Sequence, residues 1–481
     1  MESSIRKTIV LSLTALMLFS SIVLFNNWIA DNTAGAKGHD LGITGDNVVW
    51  AAADNPHYVD DNINITGNLT IEPGVIIKMN RTGGNVSAIT VKSGGKLVIN
   101  GSWNSRVSIT SNTTTQGAGN YTGIVIESGG IAYINYTNIS HATIGVDIDG
   151  GNTEVNHCVI NETSDWGIEF TGNGAPYILN TTIYDTGSGA VGDGGITIGD
   201  QGIIDRCTVY NSMNTGIKVS GGSPVIANSY IHNASGNGLR LTGSAAPFVD
   251  NCNISNSDNF NIYISGTTRD ITFYNTTIGY RDGGVGDTIK IDAAGVYINL
   301  TLLNSSFVNN TFDVDADGNI SINYYVNVYV NNSADAHITG ATVNMVHNGS
   351  IDFTGTTDGN GKVWLQGTHF NYNNTGDWII GNYTVNVTHP DYQSSEQNTY
   401  VDSYQALDFQ LTDTANPVAD AGPDQAVNQT DLVTFDGSGS TDNVAVTNYT
   451  WNFTDGGAQM VYGVDANYTF NNAGVFVVTL T

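Results

Sequence analysis

Apolar and polar positions along this chain alternate in very short bursts. Eight segments share the pattern apolar–any–apolar with a Gly or small residue close by, and they recur roughly every 22 residues. They are Val146-Asp147-Ile148, Ile168-Glu169-Phe170, Ile196-Thr197-Ile198, Ile217-Lys218-Val219, Leu239-Arg240-Leu241, Ile262-Tyr263-Ile264, Ile289-Lys290-Ile291 and Phe312-Asp313-Val314. Each predicts a strand with two residues facing inward and one outward, too short to stand alone. A second strand is predicted inside every repeat, as in Ile178–Ile183, Val225–Ile231 and Phe248–Ile254. One repeat then makes one coil of a parallel β-solenoid, and each coil hydrogen-bonds to the next about 4.8 Å away.

The cysteines test this register. Aligning the second strands places Thr137, Cys158, Thr181, Cys207, Ser229, Cys252 and Thr276 in one inward column of small residues. The cysteines then fall on every second coil, roughly 9.6 Å apart, whereas a disulfide needs Cα atoms within about 7 Å. Three free, buried thiols are expected. A further column, His141, Glu162, Asp185, Asn211, Asn233, Asn256 and Tyr280, falls at a turn, where stacked Asn amides can bond along the solenoid axis.

Composition agrees with a turn-rich all-β chain: 481 residues, 57 Gly and only 12% charged. No stretch after residue 40 has a 3.6-residue apolar period. The net charge of −29 argues against nucleic acid and anionic membrane surfaces as partners. Arg6 and Lys7 precede an apolar run from Ile9 to Phe25, the order of a secretory signal, with an uncleaved anchor helix as the alternative. Export to the extracellular space or cell surface is therefore expected. The 27 Asn-x-Ser/Thr triplets fit that location and suggest a glycoprotein, although a chain so rich in Asn and Thr also makes them by chance.

Strand–turn–strand units at Asn68–Val75 and Ile89–Ile99, together with the repeats that follow, resemble the right-handed parallel β-helices of the pectate-lyase-like superfamily. The resemblance covers about residues 62–320 and rests on the repeat, since no catalytic motif is matched. Residues 1–36 read as signal or anchor and 37–61 as a linker. Over 321–413, Gly340–Met345, Thr357–Val363 and Gly381–Val387 resemble the β-sandwich of the carboxypeptidase regulatory-like family, which implies a spacer or adhesive module. Within it Asp358-Gly359-Asn360-Gly361 is expected to supply the positive-φ positions of a hairpin. Residues 414–481 resemble the PKD domain through Pro417–Asp424, Phe435–Asp442, Tyr449–Gly456 and Tyr468–Gly474. That resemblance implies an immunoglobulin-like sandwich with Trp451 in its core. The family's last strand continues past Leu480-Thr481, so the domain is expected to be incomplete at its C-terminus.

Chemistry could reside on the outward residues of the eight first strands: Asp147, Glu169, Thr197, Lys218, Arg240, Tyr263, Lys290 and Asp313. Lys218 and Arg240 fall on adjacent coils and repel. Splayed, solvated heads are the bland reading; a uronate carboxylate that relieves the repulsion is the sharper one, with Tyr263 and Glu169 beside it for binding or β-elimination. Asp313, Asp315 and Asp317 match the start of a calcium loop, but Tyr324 stands where the loop needs a bidentate Glu. A polar turn closing the solenoid is expected there, with calcium as the alternative and no other cofactor. The scattered His and the buried Cys give no anchor for metal or nucleophilic catalysis.

The chain thus reads as all-β: a right-handed parallel β-helix followed by two β-sandwiches. Its expected role is non-enzymatic, in envelope architecture, adhesion or glycan binding, with extracellular polysaccharide or surface glycoproteins as partners. Membrane contact is expected only through an N-terminal anchor or one beyond the sequence. The alternative is a polysaccharide lyase or epimerase with accessory sandwiches.

Overall fold

The computed structural model describes residues 37–481 apart from 40–41, 46, 83–84, 116, 173, 190–192, 268, 283–286 and 308–311. The expected signal or anchor at 1–36 lies outside the described residues. The remainder is β-strands joined by turns and loops, with a 3₁₀ turn at Ala52–Asp54.

Three parallel sheets, not two, wrap the solenoid. Sheet A has 12 strands, sheet B 11, and sheet C 15, the last counting strands that it shares with the next domain. Sheet B holds the eight predicted first strands in the predicted register, from Val146↔Ile168 through Ile289↔Phe312. The predicted second strand is in fact two. Tyr177–Leu179 lies in sheet C and Thr182–Thr186 in sheet A, and the chain turns the corner at Asn180, whose φ is 48°.

That corner is a single left-handed residue, and it explains the column of small polar side chains. Tyr136, His157, Asn180, Arg206, Asn228, Asn251, Asn275 and Asn304 all have φ between 46° and 55°. Turning in one residue points the next side chain inward, beside a carbonyl that already accepts the backbone N–H of the preceding coil's corner residue, as Leu179 accepts from His157 at 3.1 Å, and a small polar side chain adds a second bond to it. The hydroxyls of Thr137, Thr181, Ser229, Thr276 and Ser305 each donate to the carbonyl two residues back at 2.7–3.2 Å. Cys158, Cys207 and Cys252 make the same contact through Sγ at 3.4–3.5 Å. All three cysteines are free and buried as expected. Burial, the largest effect, pushes the Cys158 thiol up to about 11 and those of Cys207 and Cys252 up to about 12, so they stay protonated.

Amide ladders run along both corners at the ends of sheet A. At the expected turn Asn211 Nδ2 donates to Asp185 at 3.1 Å and Asn233 Nδ2 to Asn211 at 3.4 Å, while His141 pairs with Glu162. That turn is left-handed too, with φ between 52° and 68° from His141 to Asn256, and the longer ladder lies at the corner between sheets C and A. There Asn251 donates to Asn228 at 2.8 Å, Asn275 to Asp250 at 2.7 Å and Asn304 to Asn275 at 2.8 Å.

At the third corner, just before sheet B, a glycine column admits the sheet A side chains. A Cβ on Gly145, Gly167, Gly195, Gly216 or Gly238 would lie 2.3–2.9 Å from the Ile or Val of sheet A in the next coil. Inside, Ile, Val and Leu from the three sheets form one continuous buried file, which is how a solenoid builds a core from strands of two to six residues.

Residues 37–61 are not a linker. Lys37–His39 and His57–Val59 join sheet A, and Val48–Trp50 joins sheet C, each in parallel register. His39, Trp50 and His57 stack with centroids 4.2–5.3 Å apart in this first coil.

The other end grades into the sandwich. The strand Gly318–Asn332 pairs in parallel with Ile298–Leu303 of the last coil, antiparallel with Lys362–Asn373, and over its second half in parallel with Gln405–Leu411. One strand therefore crosses the position expected to separate the two domains, and Phe370 of its partner joins the solenoid core. The facing sheet holds Ser350–Thr356, Thr342–His347, Asn382–His389 and Tyr392–Tyr400. The turn at Asp358–Gly361 does not close a hairpin: its flanking strands belong to the two different sheets, and only Gly361 is left-handed, at φ 71°. The hairpin turn is Asn348-Gly349, with φ of 49° and 82°. In the last domain Trp451 is buried as expected, stacks on Phe435 at 5.1 Å and donates Nε1–H to the Gly463 carbonyl at 3.0 Å.

Candidate functional site

Parallel pairing in register is what brings the predicted outward residues together. The sheet B ladder aligns Asp147, Glu169, Thr197, Lys218, Arg240, Tyr263, Lys290 and Asp313 in a single file, each opposite the next. The file is zoned along the axis.

Its first zone is acidic. Burial pushes the Glu169 carboxyl up to about 6, and the negative charges of Asp147 and Asp165 push the same way against the attraction of Lys218. Asp147 is raised by burial and then by Asp149 and Asp165, and Asp165 by burial and then by Asp193. Asp147, Asp165 and Glu169 are thus each harder to ionise than a free carboxyl.

The second zone is cationic. Lys218 Nζ lies 5.9 Å from the ring centre of Trp166, two coils back. The intervening coil carries Gly194 and Gly195 where Trp166 and Gly167 stand, so no bulky side chain separates ammonium from indole. Arg240 faces the other way along the axis, its guanidinium 5.5 Å from the Tyr263 ring centre. The two heads are thus splayed, each against an aromatic ring. Among the described residues neither forms an ion pair within 4 Å, whereas Lys92 pairs with Glu127 and Arg206 with Asp205.

Tyr263 donates its hydroxyl to Asp292 at 3.0 Å, and burial followed by that bond raises its pKa. A phenol held protonated in this way is poorly suited to act as a base.

The third zone closes the file. Lys290 Nζ lies 2.8 Å from Asp313 and 3.2 Å from Asp315. The calcium alternative for Asp313, Asp315 and Asp317 therefore meets an ammonium where the cation would sit. Asp317 is exposed in the following turn, and among the described residues no group of three or more His, Cys, Asp or Glu could hold a metal ion.

Reading only the strand centres missed Trp166, Asp165 and Asp292. Trp166 had a partial signal: its equivalents on neighbouring coils are Ile144, Gly194, Thr215 and Asn237, and the column carries a large aromatic again only at Phe260.

Two family models match this chain: "Right handed beta helix region" over residues 166–323 and "PKD domain" over 414–481. The chain carries a right-handed parallel β-helix followed by a PKD domain. Solved structures similar to it include pectate lyase Pel9A, at 13% identity over 53% of this chain and 71% of that one, with a TM-score of 0.36. A mutant of the periplasmic alginate epimerase AlgG is 12% identical over 55% and 76%, with a TM-score of 0.42. A GH87 alpha-1,3-glucanase from Streptomyces thermodiastaticus is 17% identical over 53% and 63%, with a TM-score of 0.29. No curated protein matches. These likenesses concern the fold and carry no argument about the sheet B face of the β-helix.

Proposed function

We propose that this is an exported or cell-surface glycan-binding protein without catalytic activity, whose β-helix presents sheet B to an acidic polysaccharide. The observation that carries the reading is the pair Lys218 and Arg240. In a chain of net charge −29, two cations without ion pairs occupy adjacent coils of one face, each backed by an aromatic ring. A sugar carboxylate between the splayed heads gains two charge-assisted hydrogen bonds, and Trp166 and Tyr263 offer apolar ring surface on either side. β-Helix and PKD modules are typical of extracellular proteins, which supports the location. Binding is favoured over lyase or epimerase chemistry because the Tyr263 phenol is tied to Asp292 and raised, opposite to what a general base requires.

Binding to immobilised uronate polymers tests this. Lys218→Ala and Arg240→Ala should each weaken it about tenfold at low salt, with thermal midpoints unchanged. Unchanged affinity in both variants would remove the reading. The enzymatic alternative is supported by Glu169, a carboxyl raised to about 6 beside Asp147. Unsaturated product absorbing in the ultraviolet, abolished in both variants, would establish it instead.

A further inference from the structure

The middle sandwich shows an aromatic surface that the β-helix face does not use. Three adjacent strands set their outward residues in rows: Gln366 opposite Tyr325 and Trp364 opposite Asn327, with Asn327 also opposite Ala406. Trp364 comes from one flanking strand and Tyr404 immediately precedes the other, Gln405–Leu411, yet their ring centres are only 6.0 Å apart and inclined at 37°. The other residues of the Trp364 row, Asn327 and Ala406, are short. Tyr325 meets Trp364 edge-on at 6.1 Å. Despite these contacts Trp364 is 60% exposed and Tyr404 47% exposed.

Large aromatic rings left in water on a sheet centre cost free energy unless something covers them. The dimensions say what. Three strands and two rows span about 10 Å by 7 Å, far below the roughly 800 Å² that each partner of a stable protein complex contributes. The other members of the two rows are Gln366, Tyr325, Asn327 and Ala406, with no Leu, Ile or Val to form the oily centre of a protein interface. The charges Lys362 and Asp408 lie one row further along, on either side of Tyr329, so the aromatic rows themselves are neutral. On a chain of net charge −29 a neutral ligand meets no repulsion there.

We infer that Trp364 and Tyr404 form a platform that binds the pyranose rings of a neutral glycan, making the sandwich a second, separate glycan-binding module. Sugar C–H faces pack on the two rings, and the mutual tilt fits a chain that twists from one residue to the next. Gln366 stands at the edge, where an amide can bond ring hydroxyls. This site is independent of the sheet B reading.

The test uses the full chain on an array of neutral gluco-, manno-, xylo- and N-acetylglucosamine oligosaccharides. Binding to at least one is expected, weakened about tenfold or more by Trp364→Ala and by Tyr404→Ala and kept within about threefold by Trp364→Phe. The Lys218→Ala/Arg240→Ala double variant should bind these neutral sugars as the parent does. Because both rings are exposed, the alanine variants should melt with the parent, which separates lost contact from lost fold. No binding anywhere on the array would overturn the inference. So would binding that Trp364→Ala and Tyr404→Ala leave intact, or binding that only the sheet B variant abolishes.

Discussion

Two files of side chains run along the same solenoid and differ in how much they vary. The corner file between sheets C and A is Thr, Cys or Ser at every coil from Thr137 to Ser305, behind a left-handed residue that is mostly Asn. The outward file of sheet B passes from acid to base to phenol over the same rise. The first is uniform because every coil poses the same geometrical problem: one residue must turn the chain, and the next must be small enough to fit inside and polar enough to bond the carbonyl beside it. The second faces outward and only needs residues that tolerate a strand, so its order is free to record something else. In a repeat protein, constancy marks what the fold needs, and departures from it mark where a ligand can have left its pattern.

The sharpest way to break this contrast is to disturb a constant position. Gly195 belongs to the corner column before sheet B, and a Cβ there would stand 2.3 Å from Val209 Cγ1 and 2.5 Å from the Gly216 carbonyl. Neither atom is a flexible side-chain end. Gly195→Ala should cost about 3 kcal/mol in chemical denaturation, at the upper end for overpacking. A cost under about 0.5 kcal/mol would mean that the corner is soft.

The left-handed file should respond less. Asn251 has φ 52°, donates to Asn228 at 2.8 Å and turns the coil whose corner residue is Cys252. Asn251→Ala loses the residue type that tolerates this conformation and one ladder bond, together about 2 kcal/mol. Asn251→Gly restores the conformation but not the bond, and should cost about half as much. Equal losses in the two variants would show that the ladder matters and the turn does not.

How much of this was legible in the sequence follows from the same contrast. Period-2 alternation made the sheet B strands and the Cys column readable to the residue. It could not show that Asn180 or Asn228 breaks the second segment into two strands, because an αL residue between two β-residues leaves the apolar count unchanged. Residues 37–61 were misread because the first coil has no preceding coil to repeat. The Asp358–Gly361 turn was misread because Asp-Gly chemistry marks a tight turn without saying whether the next strand stays in the same sheet. Lys218 and Arg240 could be placed side by side from register alone. Their aromatic partners could not, since Trp166 comes from two coils away and Tyr263 depends on which way the guanidinium leans.

The smallest effect tests the varied file by its own charge. The Glu169 carboxyl, ordinarily near 4.5, is raised to about 6 in the folded chain, chiefly by burial and then by Asp147 and Asp165. A raised carboxyl binds its proton more tightly when folded, so its contribution favours folding below about pH 4.5 and is lost as pH rises through about 6. At pH 7 the ionised Glu169 is therefore a liability. Because the group is only half-buried, solvent screening reduces this to about 1 kcal/mol. Glu169→Gln should accordingly gain about that much stability at pH 7 and nothing at pH 4, with the difference opening between pH 4.5 and 6 in urea titrations. The attraction of Lys218 acts in the opposite sense, so the sign of the result decides which neighbour dominates. A variant less stable than the parent at pH 7 would mean that Glu169 and Lys218 act as an ion pair. Lys218 would then be engaged from within, and the cationic zone offered to a sugar carboxylate would shrink to Arg240.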